Sequence, residues 1–308
     1  MKKYPKLVIV VVIVIAVSLF VYYMLSGKKG GAMVYIPAGE FIMGSDTDEL
    51  NEKPAHKIYL DAYYIDKYEV TNEQFTEFLN TYGKSTDDHG APFVYASDWG
   101  VQFVDGKWKP VKGYEKHPAV YVTWVGADHY ARFYNKRLPT EAEWENACRA
   151  GTTTKYYFGD AVTQTSSLGE TKSILSDYAW YTENSAPKVD VSDDDEDDDN
   201  NVVEKAPALI VKTTYPVGKK MPNKYGIYDM YGNVGEWCAD WYDKDYYKNS
   251  PDKNPKGPNV GNSSVERIAR GGYWDTPDGK CRSSFRVGVP LNIGNNSLGF
   301  RCVKDIAK

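Results

Sequence analysis

Residues Tyr225–Tyr242 read YGIYDMYGNVGEWCADWY, and the fold is decided by how this stretch is read. Tyrosine, tryptophan, glycine and acid are crowded together with no sustained helical or strand period, which predicts an ordered, irregular loop rather than a regular element. Aromatics at this density cannot all face water, and the glycines let backbone carbonyls turn inward. The carboxylates of Asp229 and Glu236, with the carbonyls of Gly232 and Val234 between them, offer hard oxygens to one point, the ligand chemistry of calcium. On spacing alone, a tight aromatic turn with its acids in solvent remains the alternative.

Other segments carry the argument outward. Near the start stand MVYIPAGEFIMGS (Met33–Ser45) and YYIDKYEVTNEQFTEFL (Tyr63–Leu79). HPAVYVTW (His117–Trp124), KRLPTEAEWENACRAG (Lys136–Gly151) and DYAWY (Asp177–Tyr181) follow, then ARGGYW (Ala269–Trp274) and NNSLGFRCV (Asn295–Val303). In this order, and with the GNVGEW core of the opening stretch, they resemble the formylglycine-generating-enzyme (sulfatase-modifying-factor) family across nearly everything after Met33. The resemblance implies an α+β, loop-rich variant of the C-type-lectin fold spanning residues 33–308.

The 308 residues, 42% of them hydrophobic, suffice for one large domain or two small ones. A net charge of −5 without a basic stripe argues against a nucleic-acid partner. Four cysteines and 26 tyrosines suit an oxidising compartment. With no Cys-x-x-Cys pair, a zinc ribbon or thioredoxin-type site is not expected. His56, His89, His117 and His129 are too scattered for their spacing to argue a three-histidine iron centre.

Leu7–Leu25, LVIVVVIVIAVSLFVYYML, is uncharged, apolar and of bilayer-spanning length. Lys2, Lys3 and Lys6 precede it, so residues 1–6 are expected in the cytoplasm and the rest outside, in the periplasm or at the cell surface. No small-x-small cleavage site follows before Lys28, which favours a transmembrane signal-anchor over a cleaved signal peptide. Residues 26–32 then form a short tether.

Alternation with glycine punctuation predicts paired strands over Met33–Tyr64. Thr71 with Gln74 is a capping box for a helix reaching about Tyr82. Thr123 opens a second helix, to about Asn135. Thr140 with Glu143 caps a third, which carries Trp144 and Cys148 and stops near Gly151. Lys84–Lys116 reads as aromatic loop. Residues 188–211 hold the run VDVSDDDEDDDNNVVEK, a self-repelling block expected to be a solvated loop inserted in the domain.

What the resemblance implies for the site is mixed. It marks Asp177 as a weak second calcium position, and it pairs Cys148 with Cys302 in a disulfide worth about 5 kcal/mol in the chain-entropy treatment. The family enzyme oxidises a substrate cysteine to formylglycine, with copper held by two cysteines after a GGS segment. Here that region is RGGYWDTPDGKCRSSFR (Arg270–Arg286). Tyr273 replaces the serine, Thr276 stands where the first cysteine belongs, and Cys281 takes the second place. A hydroxyl cannot replace a Cu(I)-binding thiolate, so copper is not expected. If Cys281 were free, Lys280 and Arg282 should lower its pKa and make it the catalytic candidate. A bridge to Cys238, as in relatives without the copper pair, is the favoured expectation.

Three functions follow from these features. The first is a calcium-stabilised, membrane-tethered scaffold that binds a protein or glycan partner. The second is an oxidoreductase or maturation enzyme of the superfamily using another site, and the third is a formylglycine-generating enzyme with a displaced cysteine.

Overall fold

Each of the three capping signals starts a helix. In the computed structural model Thr71 caps α1 (Asn72–Tyr82), with the reciprocal Gln74 bond formed. Thr123 caps α2 (Trp124–Phe133) through the Gly126 N–H. Thr140 caps α3 (Glu141–Arg149) with its Glu143 bond in place. Such boxes satisfy two otherwise orphaned N–H groups at once. A single turn, α4, covers Leu175–Tyr178. The structure describes residues 31–167, 169–186, 212–259 and 265–306. The expected membrane segment 7–25 and the acidic insertion 188–211 lie outside them. Among the described residues no helix is long and apolar enough to cross a membrane.

Strands are short and fall into two principal sheets. β1 (Met33–Ile36), β4 (Tyr63–Asp66) and β13 (Val303–Asp305) form one, in the order β1-β4-β13. The other joins β9 (Gly235–Trp241), β10 (Glu266–Arg270), β11 (Arg286–Pro290) and β12 (Leu298–Gly299) in the order β11-β10-β9-β12. β2 (Gly39–Met43) with β3 (His56–Leu60), β5 (Val101–Val104) with β6 (Lys107–Pro110), and β7 (Thr163–Thr165) with β8 (Thr171–Ser173) are two-stranded ribbons. The architecture is α+β and loop-rich.

Two expectations change here. The opening stretch is not loop throughout, because its second half is β9, an interior strand of the larger sheet. Both faces of β9 are covered, so the two-residue alternation that marks a half-exposed strand is absent. Lys84–Lys116 likewise contains the β5–β6 hairpin, turned at Asp105 and Gly106, both with positive φ.

The interior is apolar in two clusters. One gathers β1–β4, α3 and the aromatic loop around Trp144 and Tyr231. The other gathers α1, α2, Trp237 and Phe300. Between helix and sheet runs a buried ion network. Arg286 forks onto Glu141 at 2.7 and 2.9 Å. Arg270 pairs with Glu145 and donates to the carbonyls of Ser283 and Phe285. Arg149 adds a second cation to Glu145 at 2.8 Å. Burial pushes the Glu145 carboxyl up, but Arg149 and Arg270 more than offset it and hold the group below the usual range. Isolated charges could not be kept at such depth; charges paired this completely can.

Neither expected disulfide is formed: all four cysteines are buried free thiols. The reason is placement. Cys148 packs in the first apolar cluster, 3.8 Å from the Ser283 hydroxyl. Cys302 lies in the second cluster, under the influence of Asp66 and Lys136. Cys238 stands against the Glu236 carbonyl and near Asp240 and Arg270. Cys281 instead lies against Gly272. Cys238 and Cys281 share the first apolar cluster but are not bonded.

Candidate functional site

The expected site residues fall in two places, the Asp229–Glu236 loop and the surroundings of Cys281. The loop is built on residues the chain must force into left-handed backbone, Asp229 at φ 57°, Gly232 at 68° and Asn233 at 56°. Gly232 is required sterically as well, since a Cβ there would collide with the Trp180 carbonyl. Asn233 ties the loop down, its N–H to the Trp180 carbonyl at 2.8 Å and its amide to Glu69 at 2.7 Å.

This geometry gathers charge. Glu236 takes a two-pronged ion pair from Arg301, with both contacts 2.7 Å, and a 2.8 Å bond from the Trp144 indole N–H. The same Arg301 Nη2 donates to the carbonyls of Tyr228 and Asp229. Asp229 accepts the Gly218 N–H on Oδ2 at 2.6 Å. Its Oδ1 is buried without a partner. Glu69 completes the group through the Val234 N–H at 3.3 Å. Burial raises the Glu69 carboxyl well above its usual range, with Asp229 and Glu236 adding to the effect. Burial likewise raises Asp229, to about 6. Three carboxylates therefore share one guanidinium.

Such a donor set fits a hard divalent cation, because an orphaned buried oxygen and two uncompensated charges are what calcium would satisfy. Among the described residues no three His, Cys, Asp or Glu side chains stand together as a metal site on their own. A cation here would thus draw on backbone carbonyls, as the sequence suggested for Gly232 and Val234. Both of those residues use their N–H groups within the fold, Gly232 to Gly271 and Val234 to Glu69. Asp177 is different: it lies in α4, pairs with Lys172 at 2.9 Å and is half-exposed. Sequence reasoning missed Glu69 and Arg301, although both stand inside segments it quoted, YEVTN and GFRCV.

The second place brings Thr276 and Cys281 together, as the resemblance required. Both touch Gly272: a Cβ there would stand 3.1 Å from the Cys281 sulfur and 3.5 Å from the Thr276 methyl. Thr276 is buried, and its hydroxyl accepts the Tyr273 N–H at 2.9 Å. Cys281 is fully buried, and burial, helped by Asp278, pushes its thiol up to about 12. The expected activation by Lys280 and Arg282 does not occur, since Arg282 is engaged by Glu52 and burial outweighs it. A protonated thiol beside a hydroxyl does not fit Cu(I). On Gly272 also opens a small cavity of about 160 Å3, lined besides by Tyr273, Phe285, Val287, Val289, Asn295 and Leu298, which neither Thr276 nor Cys281 lines. Its walls are chiefly apolar.

Comparison with known proteins gives a consistent picture. A family model described as "Sulfatase-modifying factor enzyme 1-like domain" matches residues 26–306. The serine/threonine-protein kinase pkn1 of Chlamydia caviae is 34% identical over 277 residues, covering 89% of this chain but only 38% of that protein. The formylglycine-generating enzyme of Streptomyces coelicolor is 31% identical over 305 residues, covering 88% of each chain. Among solved structures, PvdO from Pseudomonas aeruginosa superposes with a TM-score of 0.65 at 25% identity, over 90% of this chain and 95% of that one.

Proposed function

The chain belongs to the sulfatase-modifying factor enzyme 1-like family, and from that premise we propose that it is a non-catalytic binding module of the family. In this reading residues 7–25 anchor it in a membrane with residues 33–308 on the extracytoplasmic side. Calcium at the Asp229–Glu236 loop completes the fold, and the apolar cavity beside Tyr273 receives a protein or glycan partner.

One observation carries the reading. The pair of soft ligands on which the family's oxidation depends is reduced to Thr276 and a buried thiol pushed up to about 12. Family membership alone would not decide the point, because one fold hosts many functions. The test is oxygen-dependent conversion of a cysteine-containing sulfatase peptide by the full chain after incubation with Cu(I). No conversion is expected. The Thr276→Cys variant serves as the internal comparison, since it restores the missing ligand type next to Cys281. Conversion by the unaltered chain would overturn the proposal.

A further inference from the structure

The three-stranded sheet β1-β4-β13 has one face on the core; on the other, Asp66 is buried against Lys136, while the row through Tyr35, Tyr64 and Lys304 is exposed. Inward stand Ile36, Tyr63, Ile65 and Val303, all buried. Outward, the register places Tyr35 opposite Tyr64, and Tyr64 opposite Lys304, in one row across the three strands. Tyr35 is 51% exposed and Tyr64 38%, and their rings meet edge to face at 5.6 Å. Ile306, just past the end of β13, is 40% exposed. Two tyrosines and a lysine in one exposed row, with an exposed isoleucine just past the strand, make a costly surface to leave in water. They are also the residue types that settle at a lipid headgroup layer, ring or alkyl part inward and polar end wet.

The chain's own order says which surface is near. β1 is the first strand after the tether, and its lead-in residue Ala32 is fixed to the sheet by accepting the Lys67 N–H at 2.7 Å. Residues 26–32, fully extended, reach about 25 Å. If 7–25 lie in a bilayer, a tether of that length bounds how far the start of β1 can stand from it. At so short a tether, even weak interfacial contacts have a high effective concentration.

We propose that the outer face of this sheet, through Tyr35, Tyr64, Lys304 and Ile306, rests on the headgroup layer of the bilayer that anchors the chain. The proposal depends on the membrane-anchor reading above. Lys304 supplies attraction to anionic phospholipid, and the tyrosines supply the amphipathic contact.

Hydroxyl-radical footprinting of the full chain reconstituted in phosphatidylcholine–phosphatidylglycerol vesicles tests it, with Phe103 as an exposed reference on the β5–β6 hairpin. Tyr35 and Tyr64 should oxidise several-fold more slowly in vesicles than after proteolytic cutting of the tether, with Phe103 unchanged. A chain that resists carbonate extraction yet oxidises at Tyr35 and Tyr64 equally fast before and after cutting overturns the docking while leaving the anchor intact. A chain extracted by carbonate overturns both.

Discussion

Two of the buried carboxylate–arginine clusters among the described residues, one around α3 and one around the aromatic loop, reach different balances. Around α3, Glu141 and Glu145 face Arg149, Arg270 and Arg286, and the Glu145 carboxyl is held below its usual range despite complete burial. Asp240, which accepts the Glu141 N–H, is instead raised to about 8 by burial and by Glu141. Around the aromatic loop, Glu69, Asp229 and Glu236 face Arg301, with Lys220 adding only a weaker attraction at Asp229, and Glu69 and Asp229 are both raised. Burial is the first influence in each case, so the difference between Glu145 and the raised carboxyls lies in how closely cations pair with each one. A carboxylate whose charge is matched, as at Glu145, is satisfied by the chain itself. One short of cations either takes up protons or recruits a cation from solution, and the second course makes its stability depend on that ion.

The largest effect should come from breaking the matched cluster. Arg270→Met leaves Glu145 with half its pairing and strands two backbone carbonyls, which should cost about 3–5 kcal/mol in urea unfolding. If the variant unfolds at the same urea concentration as the parent, the ion pairs around α3 are not what holds helix to sheet.

Next in size is the pH response of the chelator-treated protein. The folded Asp229 carboxyl is raised from 3.8 to about 6, so the unfolded chain releases this proton more readily. Stability is therefore greatest below pH 4 for this group and falls as pH rises through 6, by about 3 kcal/mol in all. The raised Glu69 acts in the same direction. Calcium should cancel the fall by holding the carboxylate ionised. Parallel pH–stability curves with and without calcium would remove the distinction between the clusters.

Asp229→Asn is predicted to act in the reverse sense to most buried substitutions. Without calcium at pH 7 it removes an uncompensated charge and should stabilise by about 1 kcal/mol. With calcium present it should be the less stable protein. A smaller test concerns α3: Thr140→Ala removes its cap and should cost about 1 kcal/mol whether or not calcium is present.

Much of this was legible beforehand because it is written locally. A capping box spans a few residues, so Thr71, Thr123 and Thr140 announce their helices without tertiary context. The left-handed turn at Gly232 and Asn233 is equally local. β9 escaped because an interior strand buries both faces. The charge balance escaped for another reason: Glu236 and its partner Arg301 are 65 positions apart, and Asn233 and Glu69 are 164 apart. Acids could be named as ligands from spacing, whereas the arginine between them could not. For Cys281, the flanking Lys280 and Arg282 pointed to a lowered pKa, but Arg282 turns to Glu52, far upstream in the chain, and burial decides the outcome.

Calcium titration of the chelator-treated full chain at pH 7, followed by calorimetry, bears most directly on whether the Arg301 cluster is completed by a cation. One calcium per chain should bind in the parent, raise the melting temperature, and be lost in Asp229→Asn. A parent that takes up no calcium and melts at the same temperature with and without chelator would contradict the account.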